Sequence, residues 1–191
     1  MNETTERWKL IQKIIKNNKF KTIVEIGTWK GMGSTLSILK SIDEDTEFYS
    51  LESNLSFYEI AKKNLSDYIT KFNLIYGRIV ESESLIRFTD NLILTDEQKK
   101  WLYEDIENMN NCDNVLSKLP ESIDFLLLDG GEYSTYEEWK ILNERSNIIA
   151  LDDIKTFKCK KIYQEMTNDY HFEKIEETTE GNGFCIFKKI I

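Results

Sequence analysis

Five short apolar runs, each closed by a glycine or an acid, recur along the chain with helix-spaced segments between them. The run 21–26 stops at Gly27, 47–51 at Glu52, 73–76 at Gly77, 124–128 at Asp129 and 147–151 at Asp152. Runs this short, rich in Ile, Val, Leu and Phe and punctuated by such residues, read as buried strands. The stretches between them repeat apolar residues at helical spacing over 6–17, 34–42, 55–69, 80–87, 136–143 and 156–166. In 55–69 the pattern turns Tyr58, Ile60, Ala61 and Leu65 inward. Strands alternating with helices pair in parallel, because each connection must cross back over the sheet. Two further runs, 172–176 and 184–188, flank Gly181-Asn182-Gly183 and form an expected hairpin. The predicted fold is α/β: a doubly wound, mostly parallel seven-stranded sheet with helices on both faces and a C-terminal antiparallel hairpin.

The segment 88–121 breaks the alternation. Thr95 and Gln98 have the spacing of a capping box, which opens a helix to about residue 110 with Trp101, Leu102, Ile106 and Met109 on one side. The whole chain, 1–191, reads as one domain, with an N-terminal helix within 1–20 and with 88–121 as a helical insertion, either a substrate cover or an oligomer contact. Its 34 acidic against 25 basic residues give a net charge of −9. A chain so acidic, with its lysines scattered, is repelled by a phosphate backbone, so nucleic acid is excluded as a partner, as is an anionic membrane. Cys112, Cys159 and Cys185 match neither a zinc spacing nor a disulfide framework. No run reaches the ~20 apolar residues of a membrane span. The expected location is the reducing cytoplasm.

In a doubly wound sheet the ligand lies beyond the carboxyl ends of the strands. The first such end reads Glu25-Ile26-Gly27-Thr28-Trp29-Lys30-Gly31-Met32-Gly33-Ser34, and it holds three of only eight glycines. It is not a phosphate-binding P-loop, since no Gly-Lys-Ser/Thr closes it, and it lacks the G-x-G-x-x-G dinucleotide spacing. With Glu25, Gly27, Gly31 and Gly33 in place, it resembles motif I of the class I S-adenosylmethionine-dependent methyltransferases, E/D-x-G-x-x-x-G-x-G. That resemblance implies a Rossmann-like fold and S-adenosylmethionine as cofactor. It implies Glu25, Gly27, Thr28, Gly31, Gly33 and Ser34, together with Asp129 at the fourth strand end, as cofactor-binding residues and gives Glu52, followed by Ser53, the ribose hydroxyls. At the third strand end the family commonly has Gly-Asp or Gly-Ser. Here the pair is Gly77-Arg78, which implies backbone contacts to adenine there.

The fourth and fifth strand ends, Asp129-Gly130-Gly131-Glu132 and Asp152-Asp153, are similar to those of small-molecule O-methyltransferases. In metal-dependent members the corresponding acids hold magnesium. The resemblance thus implies Asp129, Asp152 and Asp153 as Mg²⁺ ligands, and Asp129 and Glu132 as catalytic residues, with Glu132 at the position of the base. The implied partner is a small molecule or sugar bearing a hydroxyl. Oxygen ligands suit that ion, but acids at these positions also serve as helix caps or substrate contacts. Trp29, Tyr133, Tyr136 and Trp139 either wall the substrate or pack in the core. The single histidine, His171, is expected on the surface, so a Ser-His-Asp hydrolase is excluded. Two other classes stay open: an NAD-type oxidoreductase on the same sheet, and a silent binding module that keeps the methyltransferase scaffold.

Overall fold

The computed structural model describes residues 5–190; the remainder of the expected 1–20 and 1–191 spans lies outside the described residues. The elements run α1 (Glu6–Asn18), β1 (Thr22–Ile26), α2 (Ser34–Leu39), β2 (Glu47–Glu52), α3 (Leu55–Asn64), β3 (Asn73–Tyr76), α4 (Glu83–Thr89), α5 (Asp96–Asn110), β4 (Ile123–Leu128), α6 (Thr135–Leu142), β5 (Ser146–Asp152), α7 (Lys160–Asn168), β6 (Phe172–Thr178) and β7 (Phe184–Lys189). One seven-stranded sheet has the order β3-β2-β1-β4-β5-β7-β6. The first five strands are parallel, and β7 inserts antiparallel between β5 and β6. This departs from the 3-2-1-4-5-6 order of dinucleotide-binding sheets. The order reverses between β1 and β4, which opens a crevice at their carboxyl ends.

Both faces of the sheet are covered, which is why its strands are apolar on both sides. Successive side chains alternate, so Ile23, Phe125, Leu127, Ala150 and Ile186 face α1 and α2. Val24, Leu126, Leu128, Ile149 and Phe187 face the side of α5, α6 and α7. Five helices differ from their periodicity; among them α2 ends at Leu39, short of the expected 42, and α4 begins at Glu83, past the expected 80. The helix expected over 55–69 ends at Asn64 and gives way to a 3-10 turn over Ser66–Tyr68, although Leu65 is buried as the pattern expects. Ile60 there is 39% exposed and Trp101 in α5 is 43% exposed. Each sits next to the true inward row (Ala61 and Leu65; Leu102, Ile106 and Met109) and is rotated about 100° from it. The helix expected over 156–166 begins only at Lys160, because residues 156–158 are drawn toward the strand ends. The capping box of α5 forms as expected, with Thr95 and Gln98 exchanging hydrogen bonds.

Candidate active site

A cavity of about 360 Å³ opens beyond the carboxyl ends of β1 to β4, at the reversal point. Its walls include Gly27, Glu52, Ser53, Gly77, Arg78 and Asp129. Glu52 is the best-anchored of them. Its Oε2 accepts from the Trp29 amide at 2.7 Å and its Oε1 from the Asn54 amide at 2.8 Å. Trp29 itself has a φ of 50°, a left-handed conformation that a bulky residue adopts only under constraint. The carboxylate thus stiffens both the glycine-rich turn and the entry to α3.

The remaining residues of the turn lie behind this wall. Glu25 is two residues before Gly27 and points, by strand alternation, to the α2 face, where its Oε2 accepts from Thr35 Oγ1 at 2.8 Å and Ser50 Oγ at 2.6 Å. Thr28 pairs with Ser50 at 2.6 Å. Ser34 is buried in the first turn of α2. A Cβ on Gly31 would lie 2.7 Å from Leu65, and one on Gly33 would lie 3.3 Å from Trp8. None of these five lines the cavity among the described residues; they set the shape of the turn by packing.

The insertion lies at this same end of the sheet. Arg78 Nε donates to the Met109 carbonyl at 2.8 Å, Asn54 Nδ2 to Asn108 Oδ1 at 3.2 Å, and Tyr133 Oη to the Gln98 carbonyl at 3.1 Å. These bonds hold α5 over the cavity, so Glu104, Asp105, Glu107, Asn108 and Met109 complete its lining. The guanidinium of Arg78 is occupied there, and also by Glu81 at 2.6 Å.

Four lining acids, Glu104, Asp105, Glu107 and Glu138, escape sequence reasoning. Glu138 is 6% exposed, and among the described residues its Oε2 has no hydrogen-bond partner. That oxygen stands 2.8 Å from where a Cβ on Gly130 would be, so the glycine makes its room. The only available signal was the doubled glycine at 130–131. Of the four aromatics considered, Trp29 lines the cavity. Tyr133 and Trp139 are core, and Tyr136 is partly buried against that core with its hydroxyl on Glu165. His171 is exposed and paired with Asp169 at 2.7 Å.

Burial raises several of these carboxyls. It lifts Glu25, Glu52 and Asp105 to about 7 and Glu138 to about 8, with hydrogen-bond donors opposing at Glu25, Glu52 and Glu138 and the Glu132 charge adding at Asp105. The native protein therefore keeps protons that the unfolded chain sheds near its ordinary carboxyl range. Between about pH 4.5 and 8 the native state binds more protons, so stability falls as pH rises through this window. A tenfold difference in proton affinity, about 1.4 kcal/mol, corresponds to a Tm lower by roughly 3–6 °C in a chain of this size. We expect at least that drop between pH 5.5 and 8 in scanning calorimetry of the ligand-free protein. A Tm that rises across this window would contradict the burial of these four groups.

The strand-end acids Asp129, Asp152 and Asp153 do meet, with carboxylate oxygens all within 4.8 Å of one another. They meet around cations of the chain itself. Lys158 Nζ is 2.7 Å from Asp129 Oδ1 and 2.8 Å from Asp153 Oδ2. Arg7 NH1 lies 2.8 and 2.9 Å from the two oxygens of Asp152. The donor set in this arrangement does not fit a divalent ion, whose ligand oxygens must be free to close on it at about 2.0–2.6 Å. Glu132 is half-buried. Its Oε1 accepts from the Phe157 amide at 2.9 Å and its Oε2 from the Thr156 hydroxyl at 3.2 Å.

The fold has many solved counterparts, although no protein-family model and no curated protein sequence matches the chain. An O-methyltransferase from Bacillus cereus in complex with S-adenosylhomocysteine superposes with a TM-score of 0.66 at 15% identity, covering 98% of this chain and 82% of that one. An O-methyltransferase of tomaymycin synthesis from Streptomyces achromogenes, in complex with S-adenosylmethionine, gives 0.65 at 14% identity over 97% and 80%. A methyltransferase from Geobacter sulfurreducens gives 0.65 at 11% identity over 98% and 80%. The chain therefore has the class I methyltransferase fold, over its whole described length.

Proposed function

We propose that the chain is an S-adenosylmethionine-dependent methyltransferase acting on a hydroxyl oxygen of a small molecule. The observation that carries this reading is the backbone-anchored carboxylate of Glu52 in the wall of a 360 Å³ cavity at the sheet's reversal point. Such a volume is within the range of about 300–1,000 Å³ typical of small-molecule sites. A buried acid at the end of β2 is placed for a ribose diol. The lining also fits the cofactor: acids prevail in it, and the unpartnered Glu138 oxygen calls for a hydrogen-bonding partner.

When bound, the cofactor supplies a methyl group already activated by the sulfonium, so no covalent enzyme intermediate is needed. The chain's work is then to bind and align. Gly27 lets β1 and β4 approach, Glu52 takes the ribose with Ser53 beside it, and the backbone of Gly77 and Arg78 borders the adenine. Asp129 faces the amino-acid end, while Glu25, Thr28, Gly31, Gly33 and Ser34 hold the turn from behind. Helix α5 covers the cavity, consistent with the insertion as a cover. The family's base position is held here by Glu132, which stands outside the cavity lining among the described residues, with its Oε1 on the Phe157 amide and its Oε2 on the Thr156 hydroxyl, so the loop that carries these two partners would have to release it to reach an acceptor. The setting is a reducing one, in keeping with three buried free cysteines. Among the described residues no helix is long and apolar enough to cross a membrane.

Calorimetric titration with S-adenosylmethionine tests the reading. We expect saturable binding at tens of micromolar or tighter, and methyl transfer to a hydroxylated acceptor in a screen with labelled cofactor. No binding in that range overturns the proposal. Binding without transfer to any acceptor would favour the silent scaffold.

A further inference from the structure

Asp129 closes β4 and Asp152 closes the adjacent β5, so parallel pairing brings these carboxylates and that of Asp153 to one place. Asp152 is 3% exposed. Buried carboxylates this close demand positive charge between them, since an uncompensated buried charge is strongly destabilising. The chain meets that demand by folding its own loop inward. Asp153 turns the chain with a φ of 58°, a left-handed conformation that aspartate tolerates better than most residues. Glu132 then fixes residues 156 and 157 through the Thr156 hydroxyl and the Phe157 amide. The next residue, Lys158, is thereby carried inside with its side chain 11% exposed, onto Asp129 and Asp153. Its ammonium thus supplies, at hydrogen-bond distance, the positive charge that the trio demands.

We propose that Lys158 is the resident cation of the Asp129–Asp152–Asp153 trio and takes the place a divalent ion would occupy, which makes the site metal-independent. The distances carry this: an ammonium at hydrogen-bond distance from two of the three acids, with the third held by Arg7, puts a cation of the chain on each carboxylate of the trio. Glu132 acts here as the positioning residue of the loop. The inference takes its catalytic sense from the methyltransferase reading, because Asp129 is shared with the cavity wall. There the ammonium would offer fixed positive charge to an acceptor oxygen losing its proton. The occupancy of the trio can be tested without that reading.

The probe is Mn²⁺ alone, titrated into the full chain and followed by the loss of the free-ion electron paramagnetic resonance signal. The wild-type protein should show no stoichiometric site up to about 1 mM. Lys158→Ala should gain one site at least tenfold tighter, and this site should vanish in the Lys158→Ala/Asp153→Asn double variant. Mg²⁺ should raise the melting temperature of Lys158→Ala and leave that of the wild type unmoved. A stoichiometric Mn²⁺ site in the wild type that Asp153→Asn removes would overturn the proposal, as would a folded Lys158→Ala protein that gains no site. If Lys158→Ala fails to fold, the wild-type and Asp153→Asn titrations decide it: no wild-type site supports the proposal, and an Asp153-dependent one defeats it. Since no cofactor enters these titrations, failure of the methyltransferase reading would show separately, as absent S-adenosylmethionine binding.

Discussion

Gly27→Ala is expected to unfold the protein or cost it more than about 4 kcal/mol, a loss at the extreme of single substitutions. The added Cβ would stand 2.1 Å from the Asp129 carbonyl oxygen and 2.9 Å from the Gly130 nitrogen, at a φ of 96°. Neither side of this contact can yield cheaply. The Gly27 amide is bonded to the Leu51 carbonyl at 2.9 Å, and the Asp129 amide to the Ile26 carbonyl at 2.9 Å. The new methyl would therefore have to part the ends of β1 and β4, which form the floor of the cavity. Gly181→Ala is the control. It too has a positive φ, of 61°, but among the described residues nothing lies within 4 Å of its Cβ position, so it should cost only the ~1–2 kcal/mol of left-handed backbone. Urea unfolding of the two variants reads the difference directly. Equal stabilities would mean that the β1 and β4 ends are not in contact.

Removing the Glu52 side chain should weaken S-adenosylmethionine binding by about 1–3 kcal/mol, the cost of leaving hydrogen-bond partners unmet in a buried site. This is roughly a 5- to 150-fold rise in Kd. The loss has two sources. The ribose hydroxyls lose their acceptor, and the Trp29 and Asn54 amides lose theirs, which frees a turn that is held in a left-handed conformation at Trp29. Glu52→Gln keeps an acceptor for one amide and should fall between Glu52→Ala and wild type. Titration calorimetry on all three proteins checks the order; unchanged affinity in Glu52→Ala would remove the residue from the ribose role.

The sheet was legible because its strands are marked twice, by apolar runs and by the glycine or acid that ends each one. Those same end residues include Gly27, Glu52, Gly77 and Asp129, so one wall of the cavity could be read along with the fold. The opposite wall could not. Asp105 and Asn108 belong to a helix whose apolar face tells that it packs, and not at which end of the sheet it lies. Its place is set by single hydrogen bonds from Asn54, Arg78 and Tyr133, which no periodicity encodes. Glu138 resembles any acid in the first turns of a helix until its burial is known. Lys158 was hidden differently. It falls in a stretch with helical spacing, and the pull of three aspartates overrides local propensity there, as tertiary contacts commonly do.

The antiparallel insertion of β7 also bears on how the chain reaches this state. β5 pairs with residues 184–188, not with the intervening β6, so its outer edge stays open until β7 arrives from beyond the hairpin turn. Throughout synthesis and refolding, an apolar edge at Ile148–Leu151 is therefore a template for strands of other chains. A protein cut short before Phe184 would lose the buried Phe184–Phe187 core residues and present that edge permanently. Its fate would be decided by self-association before any question of catalysis arose.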